Sequence, residues 1–183
     1  HQLPYIIAAW QGALAENIGR EQGSAELVEV ECMSDQVGER VYHREASVIL
    51  DHTTATQMPK EPSPVGEVRV KTLTPMRVQR DGKPLSAEDI SARAILMALI
   101  RRVGLITEFH TNVEFDTDYS TLGELAEQVT IEKSLEWQDW RRYSGRQKQK
   151  MSFGGVVGSM VFKGDLGPFL PYLFVGQWLH VGK

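Results

Sequence analysis

Five cations lie close together in the segment that runs from Trp137 to Lys163. They are Arg141, Arg142, Arg146, Lys148 and Lys150, and no carboxylate lies among them. With these five set aside, the net charge of the chain falls from -4 to -9. A basic segment on an otherwise acidic protein indicates a local anion-binding surface, for which nucleic acid is the first candidate. The alternative is that the cations simply face solvent at the tip of a hairpin, as short charge runs often do.

Aromatic side chains and a histidine extend this candidate surface. Tyr143 lies among the cations and could stack on an unpaired base. For Trp137, the alternation of a strand favours packing in the core or across the strands over stacking. His180 and Lys183, at the end of the chain, could contact phosphate. For His180 the alternative is that it complements the dipole at a helix C-terminus.

Other chemistries find no support in the pattern of residues. The five histidines form no metal-binding motif, and no acidic cluster has metal-ligand spacing. There is no phosphate-binding loop and no GxSxG motif. The one cysteine, Cys32, excludes an internal disulfide and a multi-cysteine zinc site, which fits a reducing cytoplasm. We therefore expect neither metal nor cofactor, and no apolar run approaches the roughly 18 residues of a membrane span.

The second part of the chain supplies the elements that must position these residues. Alternating apolar residues predict strands at residues 67–78, 129–140 and 151–164. A helix is predicted from the SAED motif at residues 86–89 to a cap at Gly104, with the apolar stripe Ala92, Ile95, Leu96, Leu99, Ile100 and Val103 on one face. Residues 110–123 read as irregular, and residues 169–183 as a final helix.

These elements follow the order strand, helix, strand, strand, helix. That order predicts an α+β fold, a ferredoxin-like βαββαβ unit without its last strand. The cations then lie at or near the tip of a long β-hairpin. The motif Gly155-Val-Val-Gly158 falls inside a strand, where its glycines are expected to permit a bulge or the close approach of another backbone.

The first part of the chain predicts a helix at residues 3–15, a strand at residues 25–32 and a second extended piece from Gly38. A linker rich in small polar residues and prolines follows, so we predict domains at residues 1–62 and 63–183. Leu-Pro-Tyr opens a helix near both ends of the chain, which favours a duplicated domain with residues 1–62 as the tail of the first half. Since the chain begins without methionine in helix-like sequence, we expect it to be a piece of a longer protein.

The pattern of residues 140–183 resembles that of a CRISPR-associated precursor-RNA endoribonuclease of the RAMP superfamily. The resemblance rests on WRRYSGRQ at residues 140–147, GGVVG at residues 154–158, Asp165-Leu166, and His180-Val-Gly-Lys183. More loosely, the N-terminal segments LPYIIAAW and IGREQGSAELVEV resemble the end of the first half of that family.

This resemblance implies two ferredoxin-like (RAMP) halves that bind CRISPR repeat RNA and cut it without a metal ion, in antiviral defence. The ribose 2'-OH attacks the adjacent phosphate and leaves a cyclic phosphate, with His, Tyr or Lys side chains assisting. Partners would be the repeat RNA and other CRISPR effector subunits. The usual catalytic histidine of the family lies in the first half, and a glycine-rich loop follows its His-x-Gly-Lys motif. No catalytic residue therefore transfers to this chain, which we expect to cleave poorly or not at all by itself.

Eight residues are the candidates for RNA binding. They are Arg141, Arg142, Tyr143, Arg146, Lys148, Lys150, His180 and Lys183. Two alternatives to the endoribonuclease stay open. One is a non-catalytic RAMP subunit that holds guide RNA inside an effector complex, and the other is a ferredoxin-like interaction domain without a role in RNA binding.

Overall fold

The computed structural model describes residues 2–19, 21–34, 37–46, 48–50, 52, 64–139, 141–144, 149–152 and 154–182. The chain forms two compact units, residues 1–57 and residues 58–183. The predicted domain boundary at residues 62 and 63 lies outside the described residues.

The described residues of the first unit form one helix and a three-stranded antiparallel sheet of order β1-β2-β3. Its elements are α1 (Leu3–Ala15), β1 (Glu29–Ser34), β2 (Val37–His43) and β3 (Val48–Ile49). The helix has the predicted bounds, with a proline in its first turn, where the missing N–H costs nothing. The first strand begins four residues later than predicted, because the backbone N–H of Ala25 donates to the carbonyl of Leu14 at 2.8 Å and holds this segment against the helix end.

The second unit contains the remaining elements. They are β4 (Glu67–Met76), β5 (Gln79–Arg80), β6 (Lys83–Pro84), α2 (Ala92–His110), α3 (Tyr119–Gln128), β7 (Thr130–Gln138), β8 (Arg141–Ser144), β9 (Gln149–Ser152), β10 (Gly155–Lys163) and α4 (Leu170–Leu179). Strands β4, β10 and β7 form an antiparallel sheet in that order. This is the 1-3-2 order that the first three strands of a ferredoxin-like unit adopt, so the predicted fold class is confirmed.

The core of this unit lies on one face of the sheet. The central strand β10 contributes Val156, Met160 and Phe162, all fully buried. Helix α2 contributes Ile95, Leu96, Leu99 and Ile100, four members of the predicted apolar stripe. Burial of side chains of this size stabilises the fold by about 1.5–3 kcal/mol each before the cost of ordering them, so this packing holds the helices against the sheet.

Helix α2 ends later than predicted because Gly104 is not a C-terminal cap. The helix continues to His110, and Gly104 is buried within it. A Cβ atom at Gly104 would lie 2.7 Å from the Oη of Tyr119 and 2.8 Å from Cε1 of Phe115. The glycine therefore admits the aromatic side chains that lead into α3, a role that local sequence does not distinguish from capping.

The start of α2 also differs from the prediction. Ser91 is the N-cap, and its Oγ accepts a hydrogen bond from the backbone N–H of Ala94 at 3.2 Å. In the SAED motif, Ser86 does bond Asp89, but within a turn that precedes the helix. The ammonium group of Lys133 donates to the carbonyls of Glu88 at 2.6 Å and Ile90 at 2.5 Å. This tertiary contact fixes the segment outside the helix.

Helix α3 occupies part of the segment predicted to be irregular. Its N-cap is Asp118, whose Oδ1 accepts the backbone N–H groups of Ser120 and Thr121, each at 3.0 Å. The hydrogen bond from the Thr121 hydroxyl is the main cause that lowers the pKa of Asp118 below its ordinary value of 3.8. Because the folded-state pKa of Asp118 is depressed, the ionised cap contributes its full stability above the ordinary pKa of 3.8. That contribution is lost as the pH falls through the folded-state pKa.

A β-bulge interrupts the pairing of β10 with β4 between Val156 and Gly158, within the glycine pattern that predicted it. The hydroxyl of Thr72 accepts the Gly158 N–H at 2.8 Å and donates to the Gly158 carbonyl at 3.2 Å. Gly158 has φ +138°, and a Cβ atom there would collide with the Ser134 carbonyl oxygen. Similarly, a Cβ at Gly155 would lie 2.8 Å from the carbonyl oxygen of Met76. The central strand therefore requires glycine where its neighbours approach.

Replacing Gly158 by alanine is expected to lower the free energy of unfolding by about 2–6 kcal/mol, since backbone strain and overpacking each cost about 1–3 kcal/mol. The measurement is urea denaturation followed by circular dichroism. Gly66→Ala is the matched control, because no atom lies within 4 Å of a Cβ at Gly66. Equal stability of the two variants would show that the bulge does not need glycine.

Candidate nucleic-acid interface

The strands on either side of the basic segment form one hairpin in which the described pairs share a single register. Lys163 pairs with Thr130 and Gly155 with Gln138 in the sheet. The same register continues into β8 and β9, where Ser144 pairs with Gln149. Strand β4 accompanies this hairpin only as far as the pair of Val156 with Met76. Strands β8 and β9 therefore extend the hairpin beyond the three-stranded sheet, and we call residues 139–154, which contain them, the arm.

The arm contains six of the eight predicted RNA-binding residues. Arg141, Arg142 and Tyr143 lie in β8 and Lys150 lies in β9. Arg146 and Lys148 lie outside the described residues. The structure thus places the described part of the basic segment on the two strands of the arm, next to its tip, as the sequence predicted.

The register divides the four basic and aromatic positions of β8 and β9 between the two faces of the arm. Directly paired residues of an antiparallel ladder share a face, and alternate residues of a strand lie on opposite faces. Tyr143 pairs with Lys150, and Arg141 pairs with Ser152. The positions of Arg141, Tyr143 and Lys150 therefore share one face, which we call the Tyr143 face. Arg142 occupies a position on the other face.

Trp137 lies where the arm leaves the sheet. Its indole Nε1 donates to Oδ1 of Asp139 at 3.0 Å, and the side chain is 42% exposed. A Cβ atom at Gly154, on the opposite strand, would lie 2.7 Å from Cζ2 of Trp137. The indole therefore packs across the strands against Gly154. The predicted burial of Trp137 in the core is therefore wrong.

His180 follows the last residue of α4 and has a positive φ of 51°. It is exposed and makes no hydrogen bond with any described residue. The carbonyl of Leu179 accepts a hydrogen bond from Nε of Arg102 at 3.2 Å instead. Arg102 thus complements this helix end, and the imidazole of His180 faces solvent.

The segment around His180 and the start of the arm lie at the same end of β4. A Cβ atom at Gly182 would collide with the carbonyl oxygen of Arg77, the residue that follows β4. Met76, the last residue of β4, pairs with Val156 just below the arm. The structure therefore brings these two candidate regions to one end of the sheet. Lys183 lies outside the described residues.

Among the described residues, no three side chains of His, Cys, Asp or Glu lie close enough to hold a metal ion together. Within the same part of the chain, every helix is too short or too polar to cross a bilayer.

The family model described as CRISPR-associated endoribonuclease Cas6 matches residues 70–183. The chain belongs to the Cas6 family. The match contains the arm and the segment around His180, and it confirms the resemblance found in the sequence. Residues 1–69, with the whole of the first unit, lie outside it.

Two solved structures of Cas6 product complexes are also similar to this chain. One has a TM-score of 0.43 and 19% identity, and the match covers 67% of this chain and 48% of the Cas6 chain. The other has a TM-score of 0.47 and 17% identity, with 70% and 51% covered. The chain thus spans about half the length of these Cas6 proteins. No curated protein matches the chain.

Replacing His180 by glycine is expected to leave the free energy of unfolding unchanged or to raise it by up to about 1 kcal/mol, because glycine adopts a positive φ without strain. His180→Ala retains the Cβ atom and is the matched control, which we expect to be no more stable than the original chain. Thermal denaturation of both variants provides the measurement. A loss above about 1 kcal/mol in both would instead assign His180 a structural role at the helix end.

Proposed function

We propose that this chain is the RNA-binding portion of a metal-independent endoribonuclease that processes CRISPR precursor RNA in the cytoplasm. The Cas6 family match over residues 70–183 is the observation that carries the proposal. In the proposed reaction, the 2'-oxygen of a ribose forms a bond to the adjacent phosphorus as the 2'-hydroxyl proton leaves. The bond from phosphorus to the 5'-oxygen breaks, and that oxygen takes up a proton. The products end in a 2',3'-cyclic phosphate and a 5'-hydroxyl.

The arm is the part of the chain that we propose grips the RNA backbone. Between Arg141 and Phe153 the sequence contains five cations and no carboxylate, whereas the rest of the chain is acidic. Cations that contact phosphate position RNA without reading its sequence. Lys and Arg on two strands that extend beyond the sheet can reach a backbone that the acidic surface elsewhere repels.

His180 and Lys183 complete the proposed RNA-binding set. The exposed imidazole of His180 lies at the same end of β4 as the arm, and it is not engaged by any described neighbour. An RNA strand that follows the arm toward the sheet would pass this end. We assign these residues contacts with phosphate and assign no catalytic role, since the arrangement provides no acid–base pair.

We propose further that each unit is part of one ferredoxin-like half. In the second unit, β4 pairs with β10 alone among the described strands. A groove of about 1360 Å³ runs between β4 and α4, and its lining includes Leu73, Phe174 and Trp178. A final strand of the βαββαβ unit would pair with this edge and cover the groove. The boundary between the halves is proposed at residues 62 and 63.

The duplication receives support from the backbone. Helices α1 and α4 both open with Leu-Pro-Tyr. After α1, Asn17 and Gly19 have φ of 60° and 71°, and after α4, His180 and Gly182 have φ of 51° and 95°. A positive φ is uncommon in a residue other than glycine. Asn17 and His180 both have one, and each lies two residues before a glycine that also has a positive φ. The repeated sequence therefore coincides with a repeated backbone conformation.

A comparison of Arg141→Ala with Arg142→Ala tests the role of the arm. The two variants remove the same side chain and the same charge at adjacent positions on opposite faces. We expect each variant to weaken binding of the CRISPR repeat RNA, by up to about tenfold for the loss of one charge-assisted hydrogen bond, and the larger loss marks the face of the arm that the RNA contacts. Filter binding at two salt concentrations provides the measurement. Unchanged affinity and salt dependence in both variants would contradict a role of the arm in RNA binding.

Cleavage is tested with the full-length protein and the repeat RNA in the presence of EDTA. We expect one cut, with a cyclic phosphate on the upstream product, because the proposed nucleophile is the ribose itself. RNA in which the nucleotide at the cut carries a 2'-deoxy sugar is the control and should not be cut. Tight binding without any cut would overturn the endoribonuclease and favour the subunit that holds guide RNA. Cleavage that EDTA abolishes would overturn the metal-independent reaction.

A further inference from the structure

We propose that Trp137 is a stacking platform for one unpaired nucleobase where the arm leaves the sheet. The proposal rests on the proposed function, in which the arm binds RNA, and adds a binding residue that contacts a base instead of phosphate. Aromatic faces bind any base, since every base has a π-face, and each stacked base contributes about 1–3 kcal/mol to binding.

The indole is held in one orientation before any ligand binds. Its only polar group, Nε1–H, is already satisfied by the carboxylate of Asp139 at 3.0 Å. One edge of the ring lies over Gly154, where even a Cβ atom would come within 2.8 Å of Nε1 and of the Asp139 carboxylate. A side chain fixed in this way loses little conformational entropy on binding, which favours stacking over an adaptable surface contact.

Trp137 is not needed to fill the core. It continues the row of β7 residues that face the helices, after Ile131 and Leu135. Those two side chains pack against the buried core, whereas Trp137 lies past it and leaves 42% of its surface exposed. No other described aromatic ring contacts it. The large apolar face is therefore open at the point where the arm begins.

The positions along the arm identify RNA as the occupant. Trp137 lies on the same face of the hairpin as Arg141, Tyr143 and the partner of Tyr143, Lys150, since β7 with β10 and β8 with β9 share one register. The platform and the Tyr143 face thus belong to one side of the hairpin. A strand whose phosphates contact the cations would place a base near the indole, because successive nucleotides follow the same side. Two cations, Arg141 and Lys150, lie on this side beyond Asp139, whose carboxylate is already bound by the indole Nε1–H, and phosphate is the ligand that complements them.

Replacement by leucine and by phenylalanine separates stacking from packing. Trp137→Leu keeps an apolar side chain over Gly154 but removes the aromatic face, and Trp137→Phe keeps an aromatic face. We expect Trp137→Leu to weaken binding of the repeat RNA about 5- to 150-fold and Trp137→Phe to weaken it less than about fivefold. Trp178→Leu is the control for loss of an exposed tryptophan, since Trp178 is 55% exposed on α4 and contacts Phe174. Its RNA affinity should not change.

Repeat RNAs with single abasic sites identify the stacked base. At one position, loss of the base should weaken binding to the original chain but not to Trp137→Leu, since the two changes remove the same contact. If Trp137→Leu loses affinity equally for every abasic RNA and the original RNA, and melts at a lower temperature, the indole only supports the arm and the proposal is overturned.

The outcomes distinguish this proposal from the proposed function on which it rests. Normal binding by Trp137→Leu, with weakened binding by Arg141→Ala, would remove the stacking platform and leave the arm as an RNA-binding element. Normal binding by both variants would contradict both proposals. Unchanged RNA affinity with lost association to another CRISPR subunit would make Trp137 a protein contact and overturn the stacking role.

Discussion

The pairing of β10 with both of its neighbours is the constraint on which the rest of the second unit depends. This strand contributes Val156, Met160 and Phe162 to the core, and the same residues lie in the middle of the sheet. Its register with β7 is the same as the register of β9 with β8. A shift by one residue would turn the buried row to solvent and exchange the two faces of the arm at the same time. The core therefore fixes which residues the arm presents on each face.

Glycines in and next to β10 allow this register, because the neighbouring strands and one side chain approach the strand closely. At Gly155 and Gly158 the backbones of β4 and β7 come nearer than a side chain allows, and at Gly154 the indole of Trp137 occupies the space. Three glycines in five residues thus have three different neighbours. Hydrogen bonds with the hydroxyl of Thr72 satisfy both the N–H and the carbonyl of Gly158 at the bulge.

The sequence predicted those helices and strands that residues close together in the chain determine. Helix α1, the strands of the sheet and the arm follow from proline position and alternation. Gly104 was misread because a glycine that caps a helix and one that admits Tyr119 look alike until the partner is known. Asp118 followed by Ser120 and Thr121 is a capping signal that could have revealed α3. The segment before α2 could not be predicted, because Lys133 holds it from a strand more than forty residues away.

The candidate site likewise has features that the sequence predicted and features that only the structure shows. Residue types alone predicted the basic arm, because charge is visible in the sequence. Which cations share a face with Tyr143 requires the register, and the register is set by side chains buried below the arm. The exposure of Trp137 requires knowing where the core stops along β7. On the open face of the sheet, by contrast, Glu132 pairs with Lys163 and raises its pKa by a hydrogen bond. That face offers Glu136 as well, paired with Val157. Arg69 and Lys71 of β4 also lie on the open face, opposite Val161 and Ser159, so acids and cations alternate there, whereas Arg141 and Lys150 share a face of the arm without a carboxylate between Arg141 and Phe153. The same alternation that separates core from solvent therefore also sets which charges each face of the hairpin presents.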